Sequence, residues 1–432
     1  MTDATEGTTH SQFRLLAQRR FLPFYVTQFL GAFNDNVFKN ALIIMIAFQA
    51  IDDSSVNPDI LTNLSAGLFI LPFFLFSATA GLLIEKHEKS LAMRRIKLME
   101  VVIMLVAAWG FVSGQLYLLI FLLFMMGVQS TLFGPAKYSY IPQHIAAGEL
   151  LGANGLVQTG TFVAILIGTM CGGILVSLED GRIWVALAVV VIAAGGYLSS
   201  LSIPHTPSAN PDLEVRYRPF GDLKRNVRLL RDQGVTFMAV LGISWFWFLG
   251  ASYLVQLPSY TKTALGANEQ VVTLLLTLFT LGVGTGSLLC NRLLKGSISL
   301  KLLPIGVLGL TLPGIDLYLS TADIVSGAEL IGLAAFLQAG NYRVIVDVLL
   351  IGIAGGLYIV PLFSYVQSRV DGSLLSRVIA GNNIFNALYM VLSAVMAMLL
   401  LGNGVSIAEL FLLVSLLNLV HGAIIIVLLR RG

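Results

Sequence analysis

The sequence predicts an all-α polytopic membrane protein with 12 transmembrane helices in two six-helix halves. Of its 432 residues, 56% are hydrophobic and only 11% are charged, whereas about a quarter of a soluble domain is charged. The apolar residues form long blocks of about 20 residues or more, the length that a helix needs to cross ~30 Å of hydrocarbon. Short motifs also recur at matching places in the two halves of the chain, which indicates a repeated unit.

The apolar blocks define the predicted spans in chain order. A further stretch, 324–340, is too short and too interrupted to cross a bilayer, so we interpret it as an interfacial helix. The predicted spans are 21–49, 61–85, 95–114, 116–136, 153–178, 183–203, 235–261, 270–293, 300–320, 342–367, 375–401 and 405–429.

The predicted domain organisation follows from these spans. Residues 1–20 form a polar N-terminal segment, 21–203 a first six-helix bundle and 235–429 a second. The polar, proline-containing segment 204–234 joins them. Its second half, 220–232, is a basic amphipathic helix candidate that lies on the inner leaflet or serves as a solvated linker.

The positive charges predict the orientation. All but four of the 26 Lys and Arg residues fall on the side that holds both chain ends, and basic residues collect on the cytoplasmic side of membrane proteins. Arg182, Lys262 and Arg343 fall on the other side, and Lys39 lies within the first span. We therefore expect a bacterial inner-membrane protein with cytoplasmic N- and C-termini.

Several matches in register indicate a duplicated six-span unit. The motif FLGA occurs at 29–32 in the first span and at 248–251 in the seventh. Pro135 near the end of the fourth span and Pro361 near the end of the tenth are each followed by a Ser-Tyr pair. A repeat around a central pathway, with the substrate site at the repeat interface, is typical of secondary transporters.

The first span carries a polar cluster, NDNVFK, within an apolar block. Asp35 and Lys39 are four residues apart and share one helix face, and a charge at a bilayer centre costs ~3 kcal/mol. They form a structural ion pair, or Asp35 faces a cavity and binds a cation, a proton or an amine. Asn34 and Asn36 add donors and acceptors on neighbouring faces.

The fourth span ends in the motif FGPAKYSYIPQ. We expect Pro135 to break the helix near its inner end and Lys137 to lie at that boundary. Lys137 then snorkels to water, or it is a cation that meets an anionic headgroup at the mouth of a cavity.

Side-chain amides recur in the fifth and eleventh spans. Asn154 and Gln158 share one helix face, as do Asn382, Asn383 and Asn386. Such amides tie helices together or line a transport pathway, and the sequence leaves both interpretations open.

The sequence lacks the common signatures of enzymes and pumps. It has no phosphate-binding G-x-x-x-x-G-K-[ST] loop, no Cys/His metal spacing, no nucleophile elbow and no H-x-x-x-x-D acyltransferase signature. We therefore expect a non-enzyme with no cofactor, no metal and no nucleic-acid partner.

Three segments, RRFLPFYVTQFLGAFNDNVFKNAL, FGPAKYSYIPQHI and GGLYIVPLFSYVQ, resemble the bacterial lysophospholipid transporter family of the major facilitator superfamily. They are most similar to the form that makes up the membrane portion of bifunctional acyltransferases. The resemblance implies the fold of that superfamily and a flippase for lysophospholipids, chiefly lysophosphatidylethanolamine, from the outer to the inner leaflet by alternating access. The first-span acid of the family matches Asp35, and its fourth-span lysine matches Lys137.

Two further site assignments depend on this resemblance. Some members carry an arginine in the seventh span, where this chain has Tyr253 and Gln256 instead. The segment GLLIEKHEKSLAMRR resembles the loop of the superfamily in which an acid paired with arginines gates the inner side. The corresponding gating residues here are Gly81, Glu85, Arg94 and Arg95.

The expected partners are a lysophospholipid, a coupling cation (H⁺ or Na⁺), membrane lipids and a separate cytoplasmic acyltransferase for reacylation. Two alternatives stay open. One is a proton-coupled exporter of amphipathic drugs or small metabolites, with Asp35 as the proton site. The other is a non-transporting membrane partner of a lipid acyltransferase, which an intramembrane carboxylate argues against because a scaffold does not need one.

Overall fold

The computed structural model describes residues 11–52, 58–215, 217–321 and 329–431, and its long elements are all α-helices. The first six-helix half comprises α1 (Leu22–Asp52), α2 (Pro58–Lys86), α3 (Lys89–Ser113), α4 (Leu116–His144), α5 (Leu150–Val176) and α6 (Gly181–Leu201). A linker helix, α7 (Pro219–Asp232), follows. The second half comprises α8 (Val235–Thr263), α9 (Glu269–Leu293), α10 (Leu303–Leu319), the short α11 (Leu333–Gln338), α12 (Tyr342–Arg369), α13 (Leu375–Gly402) and α14 (Ile407–Arg431).

The predicted fold class, an all-α membrane protein with two six-helix halves, is confirmed. In the described parts of the chain, ten helices are long and apolar enough to cross a membrane. The other two long helices are α10, which has 17 residues, and α1, which carries the polar cluster of the first span.

The two halves repeat one packing pattern. In the first half, α1 packs on α5 and α6, α2 packs on α4, and α3 packs on α4 and α6. In the second half, α8 packs on α13 and α14, α9 packs on α12, and α10 packs on α12 and α14. Each of these contacts in the first half therefore has a counterpart in the second, as a duplicated unit requires.

The halves meet mainly where α2 contacts α13 and α5 contacts α9. We call this contact the seam. We call the end of the bundle that holds the linker, where α2 and α4 end and α5 and α13 begin, the terminal face. Hydrogen bonds, one ion pair and ring contacts cross the seam in the described residues. They lie between the terminal face and the middle of the helices.

The hydrophobic cores show the same difference between the two ends of the bundle. One core runs through the second half and continues into the terminal-face part of the first half. A second core, which includes Val37, Phe111 and Val189, holds the opposite end of the first half by itself. The two halves are thus joined at the terminal face and packed separately at the opposite face.

Helix α3 begins six residues earlier than predicted, because Glu88 caps it. The carboxylate of Glu88 accepts hydrogen bonds from the backbone amides of Ser90 and Leu91, which the first turn of a helix otherwise leaves unpaired. Partial burial raises the pKa of Glu88, but the hydrogen bonds from Ser90, Thr206 and Leu91 outweigh it and hold that pKa below its ordinary value. Lys89 and Arg94, which the predicted spans place in a loop, therefore lie on α3.

The predicted break at Pro135 is wrong. Helix α4 continues through Pro135 and Pro142 to His144. A proline removes one backbone hydrogen bond, and neighbouring helices hold such an interruption inside a membrane bundle. Lys137 consequently lies inside a helix and not at its end.

The linker helix packs on protein. Asp222, Asn226 and Leu230, spaced four residues apart on one face, are buried, and α7 contacts α2 and α13. In the segment predicted as an interfacial helix, residues 324–328 lie outside the described residues. The remainder contains the six-residue helix α11.

Candidate functional site

A buried polar cluster links α1, α3 and α4 within the first half. Its centre is the carboxylate of Glu100, which accepts hydrogen bonds from Asn34 Nδ2 at 3.0 Å, Lys97 Nζ at 2.6 Å and Gln129 Nε2 at 2.9 Å. The side chains of Lys97 and Glu100 are each only 1% exposed. The three donors give both carboxylate oxygens of Glu100 a hydrogen bond, which offsets the cost of burying a charge.

Asp35 joins the same cluster through Ser130. The Ser130 hydroxyl lies 2.9 Å from Asp35 Oδ2 and 3.2 Å from Gln129 Oε1, so polar contacts run from Lys97 to Asp35. Asp35 Oδ1 is buried without a hydrogen-bond partner among the described residues. This oxygen therefore has unused hydrogen-bonding capacity within the described chain.

Asp35 and Lys39 do not form the ion pair that their spacing allows. The described residues contain no salt bridge between them, and Lys39 Nζ instead lies 5.9 Å from the centre of the Phe69 ring. Asn36 donates to the carbonyl of Ala32 in its own helix. Of the first-span cluster, Asn34 and Asp35 thus enter the polar network directly.

Lys137 is buried, at 9% exposure, which excludes the snorkelling interpretation in this state. Its Nζ lies 3.1 Å from Thr161 Oγ1 on α5 and 5.1 Å from the centre of the Tyr138 ring. Within the part of the chain that the structure describes, Lys137 has no carboxylate partner. Its ammonium group thus contacts a hydroxyl and an aromatic ring, and no carboxylate of the described chain neutralises this lysine.

The predicted amides do not form one group. Asn154 Nδ2 crosses the seam to Ser364 Oγ and Gln367 Oε1, so it ties the halves together. Asn386 accepts a hydrogen bond from Ser244 within the second half.

The other three amides are buried near the seam with unused hydrogen-bonding capacity. Both amide atoms of Gln158 and Asn382 lack a hydrogen-bond partner in the described chain, and so does Asn383 Nδ2. Asn383 also packs closely against Gly134 of α4, on the other side of the seam.

The candidates in the seventh span, which is α8, lie apart from this cluster. The Tyr253 hydroxyl is 2.9 Å from Ser415 Oγ on α14, so this side chain faces the interior of the second half. Gln256 is half-buried, three residues further along α8. The nearby Trp245 stacks on Phe248 of its own helix and on His421 of α14, which makes these aromatic rings packing residues here.

The predicted gating acid pairs across the seam. Glu85 is fully buried and receives a 2.7 Å ion pair from Arg377 of α13, whereas the sequence pointed to Arg94 and Arg95. Arg94 donates instead to backbone carbonyls at the end of α6, and Arg95 is exposed. Gly81 packs against the backbone of α13, so two of the four gating candidates lie at the seam.

Sequence reasoning missed Lys97, Glu100 and Gln129. The available signal was the three-residue spacing of Lys97 and Glu100, which places both on one face of α3. The predicted span 95–114 contains both residues, but the count of cytoplasmic basic residues includes Lys97, so the sequence did not predict a buried pair.

The described residues form twelve long helices in two similarly packed halves, with buried charges beside the seam. This is the architecture of a secondary transporter. The family model of the Major Facilitator Superfamily matches residues 24–394. The chain therefore belongs to the Major Facilitator Superfamily.

Its relatives include proteins named lysophospholipid transporter LplT. The chain is 28% identical over 366 residues to the one from Serratia proteamaculans, which covers 83% of this chain and 82% of the relative. It is 27% identical over 357 residues to one from Klebsiella pneumoniae (82% and 81% covered), and 26% identical over 350 residues to one from Escherichia coli O157:H7 (80% and 79% covered).

Solved structures of the superfamily share the fold. The human organic anion transporter MFSD10 matches with a TM-score of 0.73 at 13% identity, covering 94% of this chain and 99% of that one. A bacterial homologue of the iron transporter ferroportin, in an outward-facing state, matches with a TM-score of 0.66 at 14% identity, covering 94% and 98%. At these identities the likeness concerns the fold alone.

Proposed function

We propose that the protein flips lysophospholipids, chiefly lysophosphatidylethanolamine, from the outer to the inner leaflet of a bacterial inner membrane by alternating access. The names of its relatives support the substrate class. The observation that carries the proposal is Lys137, a buried cation that has a hydroxyl for a neighbour and no carboxylate in the described chain.

A lysophospholipid supplies the anionic partner that Lys137 lacks. Burying an unpaired charge is unfavourable, and a phosphate forms strong charge-assisted hydrogen bonds with an ammonium group. The buried amides of Gln158, Asn382 and Asn383 offer further donors and acceptors at the seam. The single acyl chain of the substrate needs only an apolar surface, which the helices provide.

Asp35 is the proposed site for a second charge. Its unpartnered Oδ1 accepts a coupling cation, H⁺ or Na⁺, or the amine of the substrate headgroup. Asn34 Oδ1, on the preceding residue, is also buried and unpartnered. A zwitterionic headgroup would then place its phosphate at Lys137 and its amine towards Asp35.

The terminal face is proposed to be cytoplasmic, with both chain ends on that side, as the distribution of Lys and Arg predicts. In this state the Glu85–Arg377 ion pair and the close contact at Gly81 hold that face closed. Substrate then enters from the opposite side. A separate cytoplasmic acyltransferase would reacylate the product.

Reconstitution tests the proposal. Purified protein in vesicles is supplied with labelled lysophosphatidylethanolamine in one leaflet, and movement is followed with and without Na⁺ and proton gradients. We expect Lys137→Ala to reduce transport by at least about ten-fold, the factor for one lost hydrogen bond to a charged group. We expect Lys137→Arg to keep part of the activity, because the charge remains while its geometry changes.

Lys262→Ala is the matched control, because Lys262 is an exposed lysine near the end of α8. Monoacylglycerol, which lacks the phosphate, should move equally in wild type and Lys137→Ala. Equal lysophospholipid transport by all variants would refute the role of Lys137. Transport of a cationic amphipathic drug with no lysophospholipid movement would instead establish the exporter alternative.

A further inference from the structure

The linker helix α7 straddles the seam. The buried carboxylate of Asp222 accepts a 3.3 Å hydrogen bond from Thr79 of α2, in the first half. One turn later, Asn226 Nδ2 donates to the backbone carbonyl of Arg377 in α13, in the second half, at 3.0 Å. Leu230, a further turn along, packs against Gly381 of α13. The buried face of α7 thus contacts both halves at the terminal face.

A cavity of about 170 Å³ lies between α7, α2 and α13. Its apolar wall includes Ala78 and Leu82 of α2. The charged residues of its lining are Arg225, Arg228, Arg377, Asp222 and Asp232. A site with an apolar wall and several cationic residues suits a ligand that has an anionic group and an apolar part.

The three arginines are not equally engaged. Arg225 pairs with Asp222 at 3.2 Å, and Arg377 pairs with Glu85 at 2.7 Å. Arg228 has neither an ion pair nor a hydrogen bond with any residue that the structure describes. The other carboxylate in the lining, Asp232, is exposed. Arg228 is therefore the cation that a ligand would engage.

We propose that this cavity binds the phosphate-bearing headgroup of an anionic phospholipid from the leaflet at the terminal face. The cavity lies at the membrane boundary, since Ala78 and Leu82 occupy the last turns of the span that ends at Lys86. Pockets for whole drug-sized ligands measure roughly 300–1,000 Å³. A cavity of about 170 Å³ therefore admits a headgroup, while the acyl chains stay in the bilayer along α2.

The same position gives the lipid an effect on conformation. A phosphate held by Arg228 of α7, in a cavity that α2 and α13 also line, adds contacts that exist only while α7 and both halves are together. Any ligand that binds one conformation better than another shifts the population towards it. The bound lipid therefore stabilises the closed terminal face, whatever the transported substrate is.

The experiment compares two arginines of one helix. The full-length protein is placed in phosphatidylcholine nanodiscs with increasing phosphatidylglycerol, and retained phosphatidylglycerol is counted by native mass spectrometry. Arg228→Gln should weaken retention at least about ten-fold, the factor for one lost hydrogen bond to a charged group. Arg231→Gln, an exposed residue outside the cavity, removes the same charge and should leave retention within about two-fold.

The thermal midpoint of unfolding provides the second readout, because a ligand that binds the folded state raises it. Phosphatidylglycerol should raise the midpoint of wild type and of Arg231→Gln, but not of Arg228→Gln. Equal losses of retention in the two variants would show general surface attraction and overturn the proposal. Full stabilisation by inorganic phosphate in phosphatidylcholine nanodiscs would overturn the assignment to a lipid.

Discussion

The ion pair between Lys97 and Glu100 shows how single residues make a buried charge tolerable. Both oxygens of Glu100 accept hydrogen bonds, from three donors in all. Lys97 Nζ also lies 4.9 Å from the centre of the Phe133 ring, within range of a cation–π attraction. Gly31 leaves the space for this ammonium, since a Cβ there would lie 2.3 Å from Lys97 Nζ. The pair fixes the neighbours of Asp35 and thereby positions the proposed site.

We expect Glu100→Gln to destabilise the protein by about 3–5 kcal/mol, because it leaves Lys97 buried and uncompensated. The double change Lys97→Met with Glu100→Gln should recover most of that loss, since replacing both partners of a buried pair is often neutral. Thermal unfolding in detergent measures both effects. A double variant as unstable as Glu100→Gln would contradict the idea that the unpaired cation causes the loss.

At the scale of helices, small residues set how closely the halves approach. Gly81 lets α2 meet α13, and a Cβ at this position would lie 2.7 Å from Ala380 Cβ and 3.0 Å from Arg377 Cα. Gly155 of α5 similarly packs against the backbone of Ser287 on α9, since a Cβ at Gly155 would lie 2.6 Å from the Ser287 carbonyl oxygen. Small residues are the usual means of close helix packing in membranes. The close approach of the two halves at the seam therefore depends on the absence of a side chain at Gly81 and Gly155.

Gly81→Ala should weaken the seam by about 1–3 kcal/mol, the usual penalty for overpacking. Gly67→Ala is the control within the same helix, because a Cβ at Gly67 meets nothing within 4 Å. Replacing a helical glycine by alanine in open space stabilises by roughly 0.5–1 kcal/mol. Thermal unfolding should thus show opposite signs for the two variants. A Gly81→Ala protein as stable as Gly67→Ala would mean that α2 and α13 are not in close contact.

At the scale of the whole molecule, the sequence predicted the fold because bilayer thickness sets the length of each apolar block. The site was only partly predictable, because its contacts are tertiary. The sequence placed Asp35 inside a span and Lys137 at the boundary of one, and its charge count assigned Lys97 to the cytoplasmic side. The partner of Glu85 is Arg377, 292 residues away, and local spacing pointed to Arg94 instead. No periodicity within one helix reports which helix of the other half it will meet.

The arrangement of the seam predicts that locking the terminal face stops transport. The hydroxyls of Ser139 on α4 and Ser376 on α13 lie 3.1 Å apart across the seam. In a background with Cys171→Ala and Cys290→Ala, Ser139→Cys with Ser376→Cys places two thiols there, close to the distance that a disulfide requires. If the halves must separate at this face in each cycle, oxidation should abolish reconstituted lysophospholipid transport, and reduction should restore it.

The second half offers a matched control for this cross-link. The hydroxyls of Ser252 on α8 and Ser393 on α13 lie 2.7 Å apart and are as deeply buried, but both belong to the same half. A disulfide between Ser252→Cys and Ser393→Cys should leave transport intact, because a half that moves as a unit keeps this distance. Both oxidised proteins should show complete cross-linking by mass spectrometry. Undiminished transport by the protein cross-linked across the seam would refute opening at the terminal face.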